Sequence, residues 1–194
     1  MKILITGFEP FGDNEKNISQ EVLQHLDNSI NGVAIVKKVL PVVFNECIEV
    51  ATSLIKSEKP DAVICLGQRA SYDGIAIERI AINLMDSVNP DNKGFTPKDE
   101  IIENQGEIAY FSTLPIKQIF ARIKNLGIVS KISNTAGLYV CNNLMYGVLH
   151  HISANKLPIV SGFIHLPSFG KMELNSVVKT VKSAIIETII HIRK

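Results

Sequence analysis

Three side chains in this 194-residue sequence have the types and placement for nucleophilic chemistry: Cys141, His165 and Glu78. Val140, Leu144, Met145, Val148, Leu149 and Ile152 recur at helical spacing, which predicts a helix from about Cys141 to His151 after a polar, Gly-broken loop. A thiol in the first turn of that helix faces unpaired N–H groups and the positive end of the dipole. Both favour thiolate, the attacking form. A buried packing cysteine is the alternative. His165 ends the apolar run Ile159–Ile164 and precedes Leu166-Pro167. An imidazole at a strand's carboxyl end can act as general base to a Cys on a neighbouring loop, or simply hydrogen-bond backbone. Glu78 lies inside the apolar segment Ile75–Asn83. If buried, its carboxylate needs a partner. Arg79 points to the opposite face of a strand, whereas a histidine held in one tautomer would suit, as in a catalytic triad. On an edge strand the same Glu would be solvated.

The elements that must hold these groups alternate between strand and helix. Lys2–Thr6 reads as a buried strand, followed by a Gly/Pro/Asp-rich loop to Asn17, which caps a helix running to about Leu26. Val33–Val39 is a second strand. A helix with Val43, Phe44, Cys47, Val50, Ala51, Leu54 and Ile55 on one face stops before Pro60. Ala62–Leu66, closed by Gly67, has the continuous apolar character of a strand buried on both faces. Ile75–Asn83, Ile108–Phe111, Ile128–Ile132 and Ile159–His165 add further strands. A helical stripe from Ile116 to Leu126 and a terminal amphipathic helix from Leu174 to Ile192 complete the pattern. This predicts one α/β domain over residues 1–194, with a polar excursion at about 84–107. Its architecture is a three-layer α/β/α sandwich around a mostly parallel, mixed, twisted sheet. Sites in such folds gather at the carboxyl ends of strands, so the loops after Thr6, Leu66 and Ile132, and His165, should share one rim.

Composition narrows the class. Hydrophobic residues at 46%, charged residues at 20% and a net charge of +1 describe an ordinary globular chain. No Lys/Arg run or basic-aromatic patch points to nucleic acid, and no apolar stretch is long enough to span a membrane. The apolar run at Met1–Ile5 is too short for the core of a signal peptide. Cys47, Cys65 and Cys141 form neither a disulfide framework nor a metal knuckle, so reduced thiols in the cytoplasm are expected. His150 and His151 are adjacent on a helix and diverge. His25 and His191 lie near helix ends, and no metal-ligand pattern emerges.

Three separated motifs carry a further reading. Glu78-Arg79-Ile80-Ala81-Ile82-Asn83, Ala136-Gly137-Leu138-Tyr139-Val140-Cys141-Asn142 and Gly162-Phe163-Ile164-His165-Leu166-Pro167 closely resemble those of the pyrrolidone-carboxylate peptidases, the pyroglutamyl-peptidase I family of cysteine exopeptidases. Gly7-Phe8-Glu9-Pro10-Phe11-Gly12 and Gly67-Gln68 also match, in the family's order. The resemblance implies removal of an N-terminal pyroglutamyl residue from peptides through an acyl-enzyme. Cys141 would be the nucleophile, His165 the base and acid, and Glu78 the group orienting the imidazole. It further implies an apolar slot for the lactam, lined by Phe8, Phe11, Tyr139 and Val140, with polar contacts from Gln68 and Asn17. No metal or organic cofactor is implied, and a homotetramer is. For Phe8 and Phe11 the alternative is core packing.

The chain departs from the family pattern at several positions. Tyr72 and Val88 stand where the family has Arg, Ala76 where it has Ser or Thr, and Asp13 replaces a Gly. These departures leave two competing readings: a silent relative that binds lactam-capped peptides, and an amidase acting on other small cyclic amides.

Overall fold

The computed structural model describes residues Met1–Lys194. In chain order it contains β1 (Lys2–Phe8), α1 (Ile18–His25), β2 (Ser29–Ile30), β3 (Val33–Leu40), α2 (Glu46–Glu58), β4 (Ala62–Arg69) and β5 (Ile75–Glu78). There follow β6 (Ile80–Ile82), β7 (Ala109–Phe111), α3 (Ile116–Asn125), β8 (Ser130–Ser133), α4 (Val140–Ala154), β9 (Val160–Pro167) and α5 (Leu174–Ile192). Seven strands form one sheet in the order β2-β3-β1-β4-β9-β5-β8, and β6 and β7 form a separate ribbon. β1, β3, β4 and β9 run parallel. β2 is antiparallel to β3, and β5 and β8, parallel to each other, run against β9. The sheet is therefore mixed and mostly parallel, as the alternation of elements predicts.

Strand parity sorts side chains into two cores. Ile3 and Ile5 of β1, Ile64 and Leu66 of β4, Ile75 and Ile77 of β5 and Ile164 and Leu166 of β9 pack on one face with α1, α3 and α5. Leu4 and Phe8, Val63 and Cys65, and Phe163 pack on the other with α2 and α4. By the same parity Gly67, Glu78 and His165 belong to the α2/α4 face. The chemistry is thus confined to one side of the sheet before any side chain chooses a rotamer.

Local chemistry explains two helix ends. Asn17 caps α1, its Oδ1 accepting from Ser19 N at 3.0 Å. α2 closes on Lys59 in the left-handed region (φ 48°), immediately before Pro60. Two expectations need correction. Val43 and Phe44 precede α2 instead of lying on it; both are buried, and Phe44 packs from the loop into the α2/α4 core. The segment Ile75–Asn83 is two strands, not one. Past Arg79, whose carbonyl accepts from Ser112 N at 2.8 Å, the chain leaves the main sheet and pairs with β7. No helix is long and apolar enough to cross a membrane.

Candidate active site

Cys141 is the second residue of α4. The first intrahelical bonds run from Asn142 N and Asn143 N to Tyr139 O, at 3.0 and 3.2 Å, so the amides of Val140 and Cys141 remain free at the helix start. Two buried amide side chains fix that start. Asn142 exchanges hydrogen bonds with the backbone of Ile82 and reaches Leu84 O. Asn143 Oδ1 accepts from Asn45 N at 2.9 Å, and its Nδ2 donates to Asn45 Oδ1 at 3.1 Å. Sequence reasoning missed both anchors; two adjacent Asn on an otherwise apolar helix were the available signal.

The thiol's resting state differs from expectation. Cys141 keeps some exposure at the cavity floor, but burial in the dense wall around it pushes its thiol up to about 12. The Glu78 carboxylate adds to that effect, and the Arg69 cation partly offsets it. Desolvation and a nearby negative charge both favour the neutral thiol. At neutral pH Cys141 therefore rests as a thiol, and reaction through its sulfur would need a base.

β4 and β9 bring a candidate base, His165, to the same groove. Gly67 pairs in register with His165, and a Cβ at Gly67 would sit 3.1 Å from Cys141 Sγ and 2.7 Å from Phe163 Cζ. Only glycine leaves room there for the thiol. His165 is 3% exposed and its Nδ1 lies 2.7 Å from Glu78 Oε1, while Glu78 is fully buried. A carboxylate only accepts, so Nδ1 carries the hydrogen and Nε2 is left as the acceptor. Burial holds the His165 pKa below its ordinary 6.5 despite the opposing pull of Glu78, so the imidazole is neutral at neutral pH. Arg79 does turn away from Glu78, its Nε donating to Asn134 Oδ1 at 2.8 Å. The cation beside Glu78 is Arg69, with Nη1 at 3.2 Å from Oε1. Sequence reasoning missed it because Arg69 lies on a different strand.

A small slot beside the thiol is lined by Phe8, Phe11, Val42, Tyr139 and Val140, with Asn17, Gln68 and Cys141. All six residues expected to form the lactam pocket meet here, and Val42 joins them unforeseen. Asn17 is largely engaged within the fold: its Nδ2 donates one hydrogen to Glu9 O at 3.0 Å and its Oδ1 accepts from Ser19. Gln68 Oε1 accepts from Ile18 N at 3.2 Å. Because β1 pairs with β4 only as far as Cys65, the backbone at Gln68 has no strand neighbour on that edge. The excursion pins the slot's far wall. Buried Asp91 accepts from Phe44 N at 3.0 Å, Asn92 Nδ2 donates to Glu9 Oε1 at 2.8 Å, and Tyr139 donates its hydroxyl hydrogen to Pro90 O at 2.9 Å.

A wider groove opens from the same thiol and carries Arg69, Ser71, Asn89, Gly137 and His165 on its walls, sharing Phe11, Gln68, Tyr139 and Cys141 with the slot. The loop after β8 contributes to it, though not from the expected rim. β8 runs against β4 and β9, so this loop does not leave from their carboxyl ends. Gly137, at φ 80°, helps turn the chain toward Cys141. Ala76 pairs across from His165 and offers it no hydroxyl. Tyr72 lies under Lys131 Nζ, 4.0 Å from the ring centre, and Val88 is exposed. His150 bonds Tyr110 at 3.0 Å, away from the site. No three His, Cys, Asp or Glu side chains gather as a metal site.

The chain matches the family model described as pyroglutamyl peptidase over residues 1–193. It is 51% identical to the pyrrolidone-carboxylate peptidase of Thermosipho africanus, over 98% of this chain and 92% of that one. Among solved structures it is similar to pyroglutamyl peptidase I from Bacillus amyloliquefaciens, with TM-score 0.95 at 38% identity over 98% of this chain and 96% of that one. The pyrrolidone carboxyl peptidase of Pyrococcus furiosus gives TM-score 0.95 at 38% identity, covering 99% and 100% of the two chains.

Proposed function

This chain belongs to the pyroglutamyl peptidase I family of cysteine omega peptidases, and we propose that it removes N-terminal pyroglutamate using Cys141, His165 and Glu78. The observation that carries this reading is the 2.7 Å contact between Glu78 Oε1 and His165 Nδ1, made beside the groove that His165 shares with Cys141. Glu78 fixes the tautomer, and His165 Nε2 takes the thiol proton as sulfur attacks the carbonyl joining pyroglutamate to the next residue. The free amides of Val140 and Cys141 are placed to receive the oxyanion. His165 then protonates the departing amine, the leaving peptide exits through the wider groove, and water frees the acyl group.

The slot suits the substrate's chemistry. A lactam is small and uncharged, with one N–H and one C=O, so apolar walls and the open backbone edge at Gln68 can recognise it without an ionic anchor. The test is release of fluorophore from a pyroglutamyl-coumarin amide under reducing conditions. Native protein should release it, Cys141→Ser should not, and a prolyl amide should stay intact. No release from folded, reduced native protein would sink the peptidase reading and leave a binder of lactam-capped peptides.

We place the enzyme in the cytoplasm, where its three free thiols would stay reduced. We also read it as one domain that assembles as a homotetramer. The exposed side chains of Ile82, Ile101, Ile108 and Phe111 around the β6–β7 ribbon support self-association.

A further inference from the structure

Oε1 of Glu78 carries all the contacts of a fully buried carboxylate. It accepts from His165 Nδ1 at 2.7 Å and from Arg69 Nη1 at 3.2 Å, while Oε2 has no partner. A charge so placed is costly unless a cation compensates it, and a neutral imidazole does not. Arg69 is that cation. It is the last residue of β4, two positions past the glycine that pairs with His165, so parity sends it to the catalytic face. Nη1 also donates to Thr135 O at 3.0 Å, and Nε donates to Ser71 Oγ at 3.2 Å. One guanidinium thereby joins the end of β4, the end of β5 and the loop that leads to the nucleophile. Its side chain is 24% exposed and forms part of the groove wall.

We propose that Arg69 is a positioning residue of the triad, holding Glu78 as a compensated carboxylate so that His165 stays neutral and ready to accept the Cys141 proton. The assignment rests on the triad reading above. Glu78 from β5, Arg69 from β4 and Cys141 from α4 are the titratable or charged groups that meet around His165. Glu78 draws a proton toward the imidazole, and Arg69 opposes that pull. Without Arg69 the carboxylate acts alone, and His165 becomes protonated at pH values where the native base is free.

The experiment compares kcat and KM for native protein, Arg69→Met and Cys141→Ser between about pH 5 and about pH 9. Arg69→Met should lose about ten- to a hundredfold in kcat near neutrality, with KM changed by less than about threefold. Its acid limb should move to higher pH, so that part of the loss recovers in alkali. Unchanged activity, a pH-independent loss, or a rise in KM alone would overturn the assignment. Should Arg69→Met fail to fold, the change is made in a Glu78→Gln background, where no buried charge needs compensation. There it should cost no more than about twofold further, and a full additive loss overturns the proposal. Activity in Cys141→Ser would overturn the triad itself. A silent Cys141→Ser beside an Arg69→Met whose acid limb has not moved would overturn only the Arg69 role.

Discussion

Two neutral groups line one groove in the resting site: a thiol pushed up to about 12 and an imidazole held below 6.5 by burial. The sign of the pH dependence follows. If His165 is the base, it works only when unprotonated, so activity should be lost as pH falls through its depressed pKa. The acid limb of kcat/KM should lie below 6.5, with activity level through neutrality. A pH–rate profile checks this. A limb centred clearly above 6.5 would mean that His165 is stabilised as imidazolium and that the resting pair is ionised. The cysteine, histidine and glutamate were all legible as residue types, because nucleophile, base and carboxylate chemistry draws on a short menu of side chains. Their protonation was not legible. It depends on desolvation and on Glu78 and Arg69, which approach Cys141 and His165 only in the folded chain.

Glycine 67 shows how strand packing sets the reaction geometry. β4 must pass Cys141 Sγ and Phe163 closely enough that a single Cβ would stand 3.1 Å from the sulfur and 2.7 Å from the ring. Gly67→Ala should therefore displace the thiol or the Phe163 ring and lower kcat/KM by about a hundredfold, the scale expected of a misplacement near 1 Å. Steady-state kinetics alongside a thermal melt would check it, and near-native kcat/KM would show that the thiol is free to move. The helix start is equally dependent on neighbours. Asn142 and Asn143 tie α4 to Ile82, Leu84 and Asn45, so the position of Cys141 is set by chain 58 to 98 residues distant. Hydrophobic periodicity located α4 and α5 well, since a buried face leaves its period in the sequence. It could not divide β5 from β6, because both halves of Ile75–Asn83 are apolar and differ only in which strand each pairs with.

Apolar residues remain uncovered around the small ribbon. Ile108 and Phe111 are 87% and 66% exposed, Ile101 is 55% exposed, and Ile82 on the paired strand is 37% exposed. If this surface joins copies of the chain, the native protein should sediment as a tetramer. Ile108→Lys with Phe111→Lys should then reduce its size. Sedimentation velocity on both proteins decides the matter, and an unchanged distribution would place the contact elsewhere. The excursion that flanks this ribbon also buries Asp91 against Phe44 and holds Glu9 through Asn92. The stretch beside the exposed ribbon thus also builds the far wall of the slot.

The sequence by itself determined the two-core α/β architecture, because alternating and helical apolar patterns record which faces must leave water. It also determined the residue types of the site and, through resemblance, the family. Only the tertiary structure decided that β5 and β8 run against the rest of the sheet. It alone placed Val42 in the slot, spent the Asn17 amide on a helix cap, and laid Arg69 on Glu78 in place of Arg79. Each of these depends on pairing between segments far apart in sequence, where the energy lies in desolvation and contact geometry that no local pattern encodes.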